Sequence, residues 1–293
     1  MSKIKILLTG STGFVGQRFL SYNKDKFPIQ TVSLQITKPI EIKFDTIDTI
    51  VHSAGMAHQM QKIDDQIYFD VNYTLTKKLA DAAKSAGVKH FIFISTIKVF
   101  GEHQQGVLTE KSPCLPQNDP YGESKLKAEQ YLQSIEDDNF IVSIIRPPLI
   151  YGPGVKGNLI RFLELGNKPY PLPFRNLKNR RTMVFLDNFI ELINRIIETK
   201  QSGIFLASDE SPISTEKLIS EIRLNLGKKP NLFETPDFMK RILGLVKPEF
   251  ALRLFGSLEM DTSDSFKRLD FKPPSSIEHG IKSMVDWYKT TLS

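Results

Sequence analysis

The sequence predicts an α/β protein with a doubly wound parallel sheet and a smaller C-terminal lobe. Apolar strand-like segments alternate with helical patterns through the first half of the 293 residues. A glycine-rich turn follows the first of these strands, at residues 10–16. Alternation of this kind, with strands apolar on both faces, is typical of a parallel sheet covered by helices on both sides.

The predicted elements follow from composition and periodicity. Residues 75–86 place leucine and alanine at helical spacing and stop at Gly87, so they predict a helix, as do residues 124–134. Because the segment between Gly16 and His52 is short, we expect the helix between the second and third strands to be trimmed or absent. The segments predicted as strands are residues 4–8, 31–36, 49–52, 90–95 and 141–146.

A change in composition after Arg146 suggests a division of the chain. Prolines and glycines become frequent there, and strand regularity is lost. We therefore assign residues 1–150 to a dinucleotide-binding domain, with a returning contribution near residues 183–207. Residues 151–293 are expected to form mainly a substrate-binding lobe.

Bulk properties narrow the function classes. The net charge of +6 is scattered except for a cluster at Lys178, Arg180 and Arg181, which suits a small phosphate-bearing substrate better than a nucleic acid. No apolar run approaches the roughly 18–20 residues that a membrane span needs. The single cysteine, Cys114, excludes an internal disulfide. With no signal peptide before the first strand, we expect a soluble cytoplasmic protein without a metal site.

The glycine-rich turn predicts dinucleotide binding. Gly10, Gly13 and Gly16 are spaced three apart between a strand and a helix. Such glycines allow a sharp turn and a close approach of backbone N–H groups to a pyrophosphate, which the helix N-terminus also favours. A Rossmann-type fold follows from this position at the end of the first strand.

The choice between NAD and NADP stays open. No acidic residue lies between Asp25 and Glu41, where a carboxylate would bind the ribose of NAD. Lys38 either faces a 2′-phosphate, which would favour NADP, or is an ordinary solvated lysine.

A tyrosine and a lysine four residues apart are the candidate catalytic pair. Tyr121 and Lys125 share one face of a predicted helix. A lysine cation is expected to lower the pKa of the phenol, so that it can exchange a proton near neutral pH. Thr96 ends the neighbouring strand, on the edge of the sheet where such active sites lie.

Taken together, these motifs resemble the extended short-chain dehydrogenase/reductases of the NAD-dependent epimerase/dehydratase family, of the nucleotide-sugar 4-epimerase and 4-ketoreductase type. They occur in family order and span nearly the whole chain. They are TGSTGFVG (9–16), HSAG (52–55), Asn72, FISTIKVFGE (93–102), YGESK (121–125), RPPLIYGPG (146–154), GNLIRFL (157–163), RRTMVFLDN (180–188) and DTSDSFKRLDF (261–271).

The resemblance implies roles for individual residues. Tyr121 would be the catalytic acid/base, Lys125 would bind the nicotinamide ribose, and Thr96 would bind the reacting sugar oxygen. Asn158 and Arg180 would bind the substrate diphosphate. The alternatives are that Arg181 binds it in place of Arg180, or that Arg180 is a surface arginine without a role. The other residues implied in cofactor binding are Gly10, Gly13, Phe14, Val15, Gly16, Ala54, Gly55, Asn72 and Pro148.

Three departures from the family pattern bear on the reaction. Ile97 and Lys98 follow the active-site threonine where the 4,6-dehydratases carry Asp-Glu, which disfavours elimination of water. Leu149 replaces a frequent asparagine. The lysine expected after the HSAG turn is absent; His58 beside it either reaches the substrate or is a loop histidine.

The implied activity is that of a UDP-hexose 4-epimerase acting through a transient 4-keto intermediate. The alternative is a 4-ketoreductase of a UDP-deoxysugar in bacterial polysaccharide synthesis. A non-catalytic regulator that senses the cofactor is a more distant possibility, since such proteins lose the tyrosine or the lysine. A homodimer is compatible with the resemblance.

Overall fold

The computed structural model describes residues 3–35, 37–57, 64–101, 106–246 and 248–292. The strands are β1 Ile6–Thr9, β2 Ile29–Val32, β3 Thr49–His52, β4 His90–Ile94, β5 Val107–Leu108, β6 Ile141–Arg146, β7 Leu149–Tyr151, β8 Leu172–Arg175, β9 Met183–Phe185, β10 Gly203–Leu206, β11 Leu232–Glu234 and β12 Glu259–Met260.

The helices lie mostly between these strands. They are α1 Phe14–Tyr22, α2 Asp65–Tyr68, α3 Leu75–Ser85, α4 Pro120–Ile135, α5 Asn158–Gly166, α6 Leu186–Thr199, α7 Thr215–Asn225, α8 Asp237–Val246, α9 Pro248–Phe255, α10 Ser263–Leu269 and α11 Ile277–Leu292. A π-helical segment, Phe69–Thr74, joins α2 to α3.

A six-stranded parallel sheet forms the centre of the molecule, in the order β10-β6-β4-β3-β1-β2. The chain moves outward from β1 to β2 and then crosses to β3 on the other side of β1. The carboxyl ends of β1 and β3 therefore flank the switch point at which open α/β sheets bind ligands. The predicted Rossmann-type fold class is confirmed.

Two hydrophobic layers enclose this sheet because successive side chains point to opposite faces. Ile6 and Leu8 of β1 pack with Phe19 of α1 and with the apolar face of α6. Leu7, between them, packs on the other side with residues of α3 and α4 such as Leu79. The central strands are buried on both faces, which explains why their sequences are continuously apolar.

Some element boundaries differ from the sequence prediction. β2 lies at Ile29–Val32 rather than residues 31–36, and only a short 3₁₀ turn at Pro39–Glu41 is described before β3. α4, which the sequence predicts at residues 124–134, begins at Pro120, four residues earlier than predicted, with proline in its first turn. Proline suits that position because the first helical N–H has no intrahelical partner, and Tyr121 consequently lies inside the helix.

The C-terminal part of the chain is built from helices and short strand pairs. β7 pairs with β9, β8 with β11, and β5 with β12. α7 packs against α5 and α11 around a cluster that includes Leu159, Ile222 and Met284. β10 returns to the edge of the central sheet. The division into a dinucleotide-binding and a substrate-binding part stays a prediction.

Across the described ranges, every helix is too short or too polar to cross a lipid bilayer. Within the same ranges we find no group of three or more His, Cys, Asp or Glu side chains suited to binding a metal ion.

Candidate active site

The glycine turn is closely packed against the end of β3. Gly10 has a φ of +72°, and a Cβ atom there would lie 2.5 Å from the backbone nitrogen of Ala54. A Cβ on Gly16 would lie 2.1 Å from the carbonyl oxygen of Gly10. Gly13 precedes α1, whose N-terminus no side chain of the described residues caps. The first-turn N–H groups of α1 are therefore available to an anion such as a pyrophosphate.

A buried histidine links the glycine turn to the neighbouring helix. His52 Nδ1 lies 2.6 Å from Thr9 Oγ1, and its Nε2 lies 2.8 Å from Thr76 Oγ1. Thr76 donates its hydroxyl hydrogen to the carbonyl of Asn72, so it must accept from His52 Nε2–H. Burial lowers the pKa of His52 to about 3, with the nearby Lys125 cation contributing. The imidazole is therefore neutral and held in one tautomer.

Asn72 fastens the turn that follows β3. Its Oδ1 accepts a hydrogen bond from the backbone of Met56 at 2.8 Å, and its Nδ2 donates to the carbonyl of Met56 and to Ser124 Oγ. A Cβ atom on Gly55 would come within 3.0 Å of both Asn72 Oδ1 and Lys125 Nζ. This turn, the buried asparagine and the helix of the candidate lysine thus form one packed unit.

The structure brings Thr96, Tyr121 and Lys125 together at the carboxyl end of β4. Thr96 caps a short 3₁₀ turn just after this strand. The Tyr121 hydroxyl group lies close enough to the Thr96 side chain to interact with it. Lys125 Nζ donates to the carbonyl of Ile94 at 2.9 Å and lies 4.5 Å from the centre of the Phe93 ring. The predicted catalytic residues are therefore neighbours around one strand end.

The electrostatics of this pair differ from the sequence expectation. Burial raises the pKa of Tyr121 to about 12, although its interaction with the Thr96 side chain acts in the opposite direction. Burial lowers the pKa of Lys125 to about 8, and the charge of Glu129 opposes that shift. The expected lowering of the Tyr121 pKa by Lys125 is not seen, because the phenol is desolvated and the ammonium is bound to Ile94.

A cavity of ≈ 310 Å³ opens beside Thr96. Pro148 contributes from the connection between β6 and β7, Leu149 from the start of β7, and Asn158 from the start of α5. Much of the remaining surface is apolar. The other lining residues are Ile97, Lys98, Gly101, Phe162, Arg181, Met183, Ile213, Ser214, Thr215, Leu218, Leu252, Ser257 and Leu258.

The two arginines of the basic cluster have different surroundings. Arg180 bonds Glu259 through its Nε at 2.7 Å, its side chain is 59% exposed, and it is not among the residues lining the cavity. Arg181 lines the cavity, and its Nη1 donates to the carbonyl of Gly256 at 3.2 Å. Strand-like bridges of Arg181 to Ile213 and Leu258 hold its backbone there. The structure therefore separates the predicted residue, Arg180, from its alternative.

The remaining predicted residues lie around this centre. Phe14 and Val15 begin α1, with Phe14 packed near Gly154. Lys38 is exposed, and its backbone N–H bonds Glu41. Cys114 is a half-buried free thiol. His58 lies outside the described residues.

Sequence reasoning missed two buried charges behind the site. Glu129 and Arg146 form an ion pair with a distance of 2.6 Å, and their side chains are 0% and 3% exposed, respectively. The spacing from Lys125 to Glu129 was the available signal, since residues four apart share a helix face.

Relatives of known function resemble the chain over most of its length. A UDP-glucose 4-epimerase of Vibrio cholerae is 34% identical over 94% of this chain and 93% of its own. A UDP-glucuronate 4-epimerase of Thermodesulfobacterium geofontis is 25% identical over 93% of this chain and 81% of its own. The crystal structure of a UDP-glucuronic acid 4-epimerase from Bacillus cereus in complex with NAD is 20% identical. It has a TM-score of 0.76 and matches 99% of this chain and 100% of that one, which supports the fold.

The model of the NAD dependent epimerase/dehydratase family matches residues 6–206, which is more than half of the chain. This match and the 34% identical relative confirm the predicted family, its enzyme class and a nicotinamide dinucleotide cofactor, with NAD and NADP still both open. The chain belongs to the NAD dependent epimerase/dehydratase family.

Proposed function

We propose that this protein is a UDP-hexose 4-epimerase that inverts the sugar C4 through a transient 4-keto intermediate. The observation that carries the proposal is the meeting of Thr96, Tyr121 and Lys125 at one strand end, where Thr96 lines a largely apolar cavity. The similarity to the Vibrio cholerae 4-epimerase over nearly the full length of both chains supports it.

The turn after β1 is proposed to bind the dinucleotide. Phe14, Val15 and Gly16 would present backbone N–H groups to its pyrophosphate. Gly10 and Gly13 would form the tight turn that brings these groups to it, with the Gly13 N–H donated to the carbonyl of Gly10. Ala54, Gly55 and Asn72 would line the channel toward the site, where Pro148 would meet the nicotinamide. When bound, the nicotinamide supplies reversible hydride acceptance at the sugar C4.

Tyr121 is proposed to move the proton. Its hydroxyl, which lies beside the Thr96 side chain, would take the proton of the C4 hydroxyl group and later return it. Its pKa of about 12 must fall for this role, and a neighbouring cation has that effect. Lys125, with a pKa of about 8, stays largely protonated at neutral pH but does not lower the Tyr121 pKa while it is bound to the carbonyl of Ile94, so its proposed role is to bind the nicotinamide ribose.

The cavity favours epimerisation over elimination. A 4-keto sugar must turn to present its other face, and apolar walls such as Leu149, Met183 and Leu258 form no hydrogen bonds that would fix one orientation. Ile97 and Lys98 follow Thr96, so the position expected to carry an eliminating carboxylate in a 4,6-dehydratase carries a cation instead.

Asn158 and an arginine are proposed to bind the substrate diphosphate. Arg181 suits this role better than Arg180, because Arg181 lines the cavity whereas Arg180 is paired with Glu259 outside it. A guanidinium group matches the geometry of phosphate oxygens.

The setting and assembly of the enzyme are also proposals. A cytoplasmic homodimer serving polysaccharide synthesis would suit a sugar-nucleotide epimerase. The retained Tyr121 and Lys125 argue against a non-catalytic regulator.

Incubation of the purified protein with UDP-glucose, UDP-N-acetylglucosamine or UDP-glucuronate tests the proposal. We expect C4 inversion, observed by proton NMR, without net consumption of the dinucleotide. Turnover only of a 4-keto sugar nucleotide, with stoichiometric oxidation of NADPH, would instead establish the 4-ketoreductase. Dinucleotide binding without conversion of any sugar nucleotide would establish the regulator.

A further inference from the structure

One face of α4 carries three polar residues at successive helical turns: Tyr121, Lys125 and Glu129. All three contact the carboxyl end of β4. Tyr121 lies beside Thr96, Lys125 donates to the carbonyl of Ile94, and Glu129 Oε1 accepts from Ser95 Oγ. α4 therefore contacts three consecutive residues at the end of β4. Glu129 is the most deeply buried of these three polar side chains.

Glu129 also reaches the next strand of the sheet. Arg146, the last residue of β6, donates from Nε to both carboxylate oxygens at 3.1 and 3.2 Å and from Nη2 to Oε2 at 2.6 Å. Its guanidinium carbon lies 4.8 Å from the centre of the Phe100 ring. Arg146 is followed directly by Pro147 and then by Pro148, which lines the cavity. One carboxylate thus connects the helix of Tyr121 to the strand ends that carry Thr96 and Pro148.

A contribution to folding stability is not a sufficient explanation for the presence of this buried ion pair. A completely buried ion pair loses about as much through desolvation as it gains through attraction, and apolar replacements of similar volume are often as stable or more so. Its bonds are directional, however, and fix the relative placement of α4, β4 and β6. Proton transfer depends strongly on such placement, since a displacement of about 1 Å can cost about 100-fold in rate.

We propose that Glu129, clamped by Arg146 and Ser95, is a positioning residue that holds Tyr121 and Lys125 in register with Thr96 for the reaction at the sugar C4. The inference rests on the proposed function, because it concerns the geometry of proton transfer. Glu129 itself is buried and lies outside the lining of the cavity, so it acts through the residues it fastens.

The double substitution Glu129→Leu with Arg146→Met tests the proposal. It removes both charges together and replaces them with apolar side chains of comparable size. We expect a melting temperature close to that of the wild type, as for other buried pairs replaced in this way. We expect kcat to fall by about tenfold or more, with KM and the dinucleotide Kd within about twofold, because positioning affects the transition state more than binding.

Ser95→Ala provides a second variant that removes a single hydroxyl group from the clamp and keeps the ion pair. We expect kcat to fall by about threefold to tenfold at unchanged KM. Arg18→Met is the matched control, because Arg18 forms a similar two-bond fork with Asp187 between α1 and α6. It should lower the melting temperature without lowering kcat.

The outcomes separate the two proposals. If the wild type converts no sugar nucleotide, the proposed function fails. If the wild type is active and the double variant or Ser95→Ala keeps the wild-type kcat, the positioning role is overturned and the pair is only structural. A loss confined to KM would overturn it as well. If the double variant does not fold, the kcat of Ser95→Ala decides the question.

Discussion

At the scale of single residues, the site is defined by titratable groups withdrawn from water. Tyr121 and Lys125 are displaced toward their neutral forms, with pKa values near 12 and 8, because burial disfavours either charge. Such opposed displacement suits a proton-transfer site, where a small change in the surroundings alters which group carries the proton.

Tyr121→Phe removes only the hydroxyl group that is proposed to transfer the proton. We expect the rate of C4 inversion to fall by about 10²–10⁴, the typical contribution of one positioned acid or base. Dinucleotide binding, measured by fluorescence titration, should persist. Tyr170→Phe, at an exposed tyrosine, is the control and should behave as the wild type. Near-normal turnover by Tyr121→Phe would exclude it as the acid/base.

The buried lysine predicts a pH dependence of stability. Its pKa of about 8 in the folded protein lies below the ordinary value of 10.5, so the unfolded chain binds more protons between these values. The contribution of Lys125 to the free energy of unfolding should therefore rise between pH 8 and pH 10, by about 2–3 kcal/mol for a shift of this size. Lys125→Met should lack this increment when urea unfolding of the two proteins is compared at pH 8 and 10. Parallel changes in both would contradict the lowered pKa.

At the scale of elements, the three glycines of the turn have different roles: two are required by its packing and one is exposed. Gly16 packs against Gly10, whose own positive φ brings the chain against Ala54, so these two glycines allow the turn to form. Gly13 is exposed at the start of α1, and a Cβ atom there meets only the carbonyl oxygen of Gly10, at 3.2 Å.

Gly13→Val should therefore lose dinucleotide affinity more than it loses stability. The branched side chain would project where a pyrophosphate approaches the N-terminus of α1. Calorimetric titration with NAD and NADP, combined with thermal unfolding, measures both effects. Gly16→Val should instead unfold, and Gly244→Ala, where a Cβ meets nothing within 4 Å, should leave affinity unchanged. Unchanged affinity in a cooperatively melting Gly13→Val protein would make the turn purely structural.

At the scale of the whole molecule, the cavity joins segments far apart in sequence. Thr96 and Pro148 come from the central sheet, whereas Asn158, Arg181 and Thr215 come from the later part of the chain. A sugar nucleotide bound there would contact both parts of the chain, because the glycine turn is proposed to bind the cofactor.

The paired substitutions Arg180→Ala and Arg181→Ala locate the substrate diphosphate. A guanidinium–phosphate contact contributes about 1.5–3 kcal/mol, so losing it should raise KM for the UDP-sugar about 10- to 150-fold. The sequence predicted this effect at Arg180, but the lining of the cavity moves our expectation to Arg181. Dinucleotide affinity should change little in either variant, and kcat should fall less than KM rises. If neither variant affects KM, the basic cluster does not bind the substrate.

The sequence by itself determined the fold class and the family, and it predicts which residue types meet the cofactor and the reacting carbon. Each of these predictions depends on a local pattern. The patterns are the apolar strand segments, the glycine spacing of residues 10–16, and the four-residue spacing of Tyr121 and Lys125. Such patterns can be recognised without the tertiary structure because each one meets a requirement of the backbone or of a helix face within a few residues.

Only the tertiary structure decided the pairings between distant segments and their consequences. The backbone bridges of Arg181 to Ile213 and Leu258 hold Arg181 at the cavity, whereas Arg180 does not line it. The Glu129–Arg146 pair joins a helix to a strand end, and neither this contact nor the burial of the pair could be predicted from either residue alone. The pKa directions of Tyr121 and Lys125 depend on burial, which every surrounding element sets together.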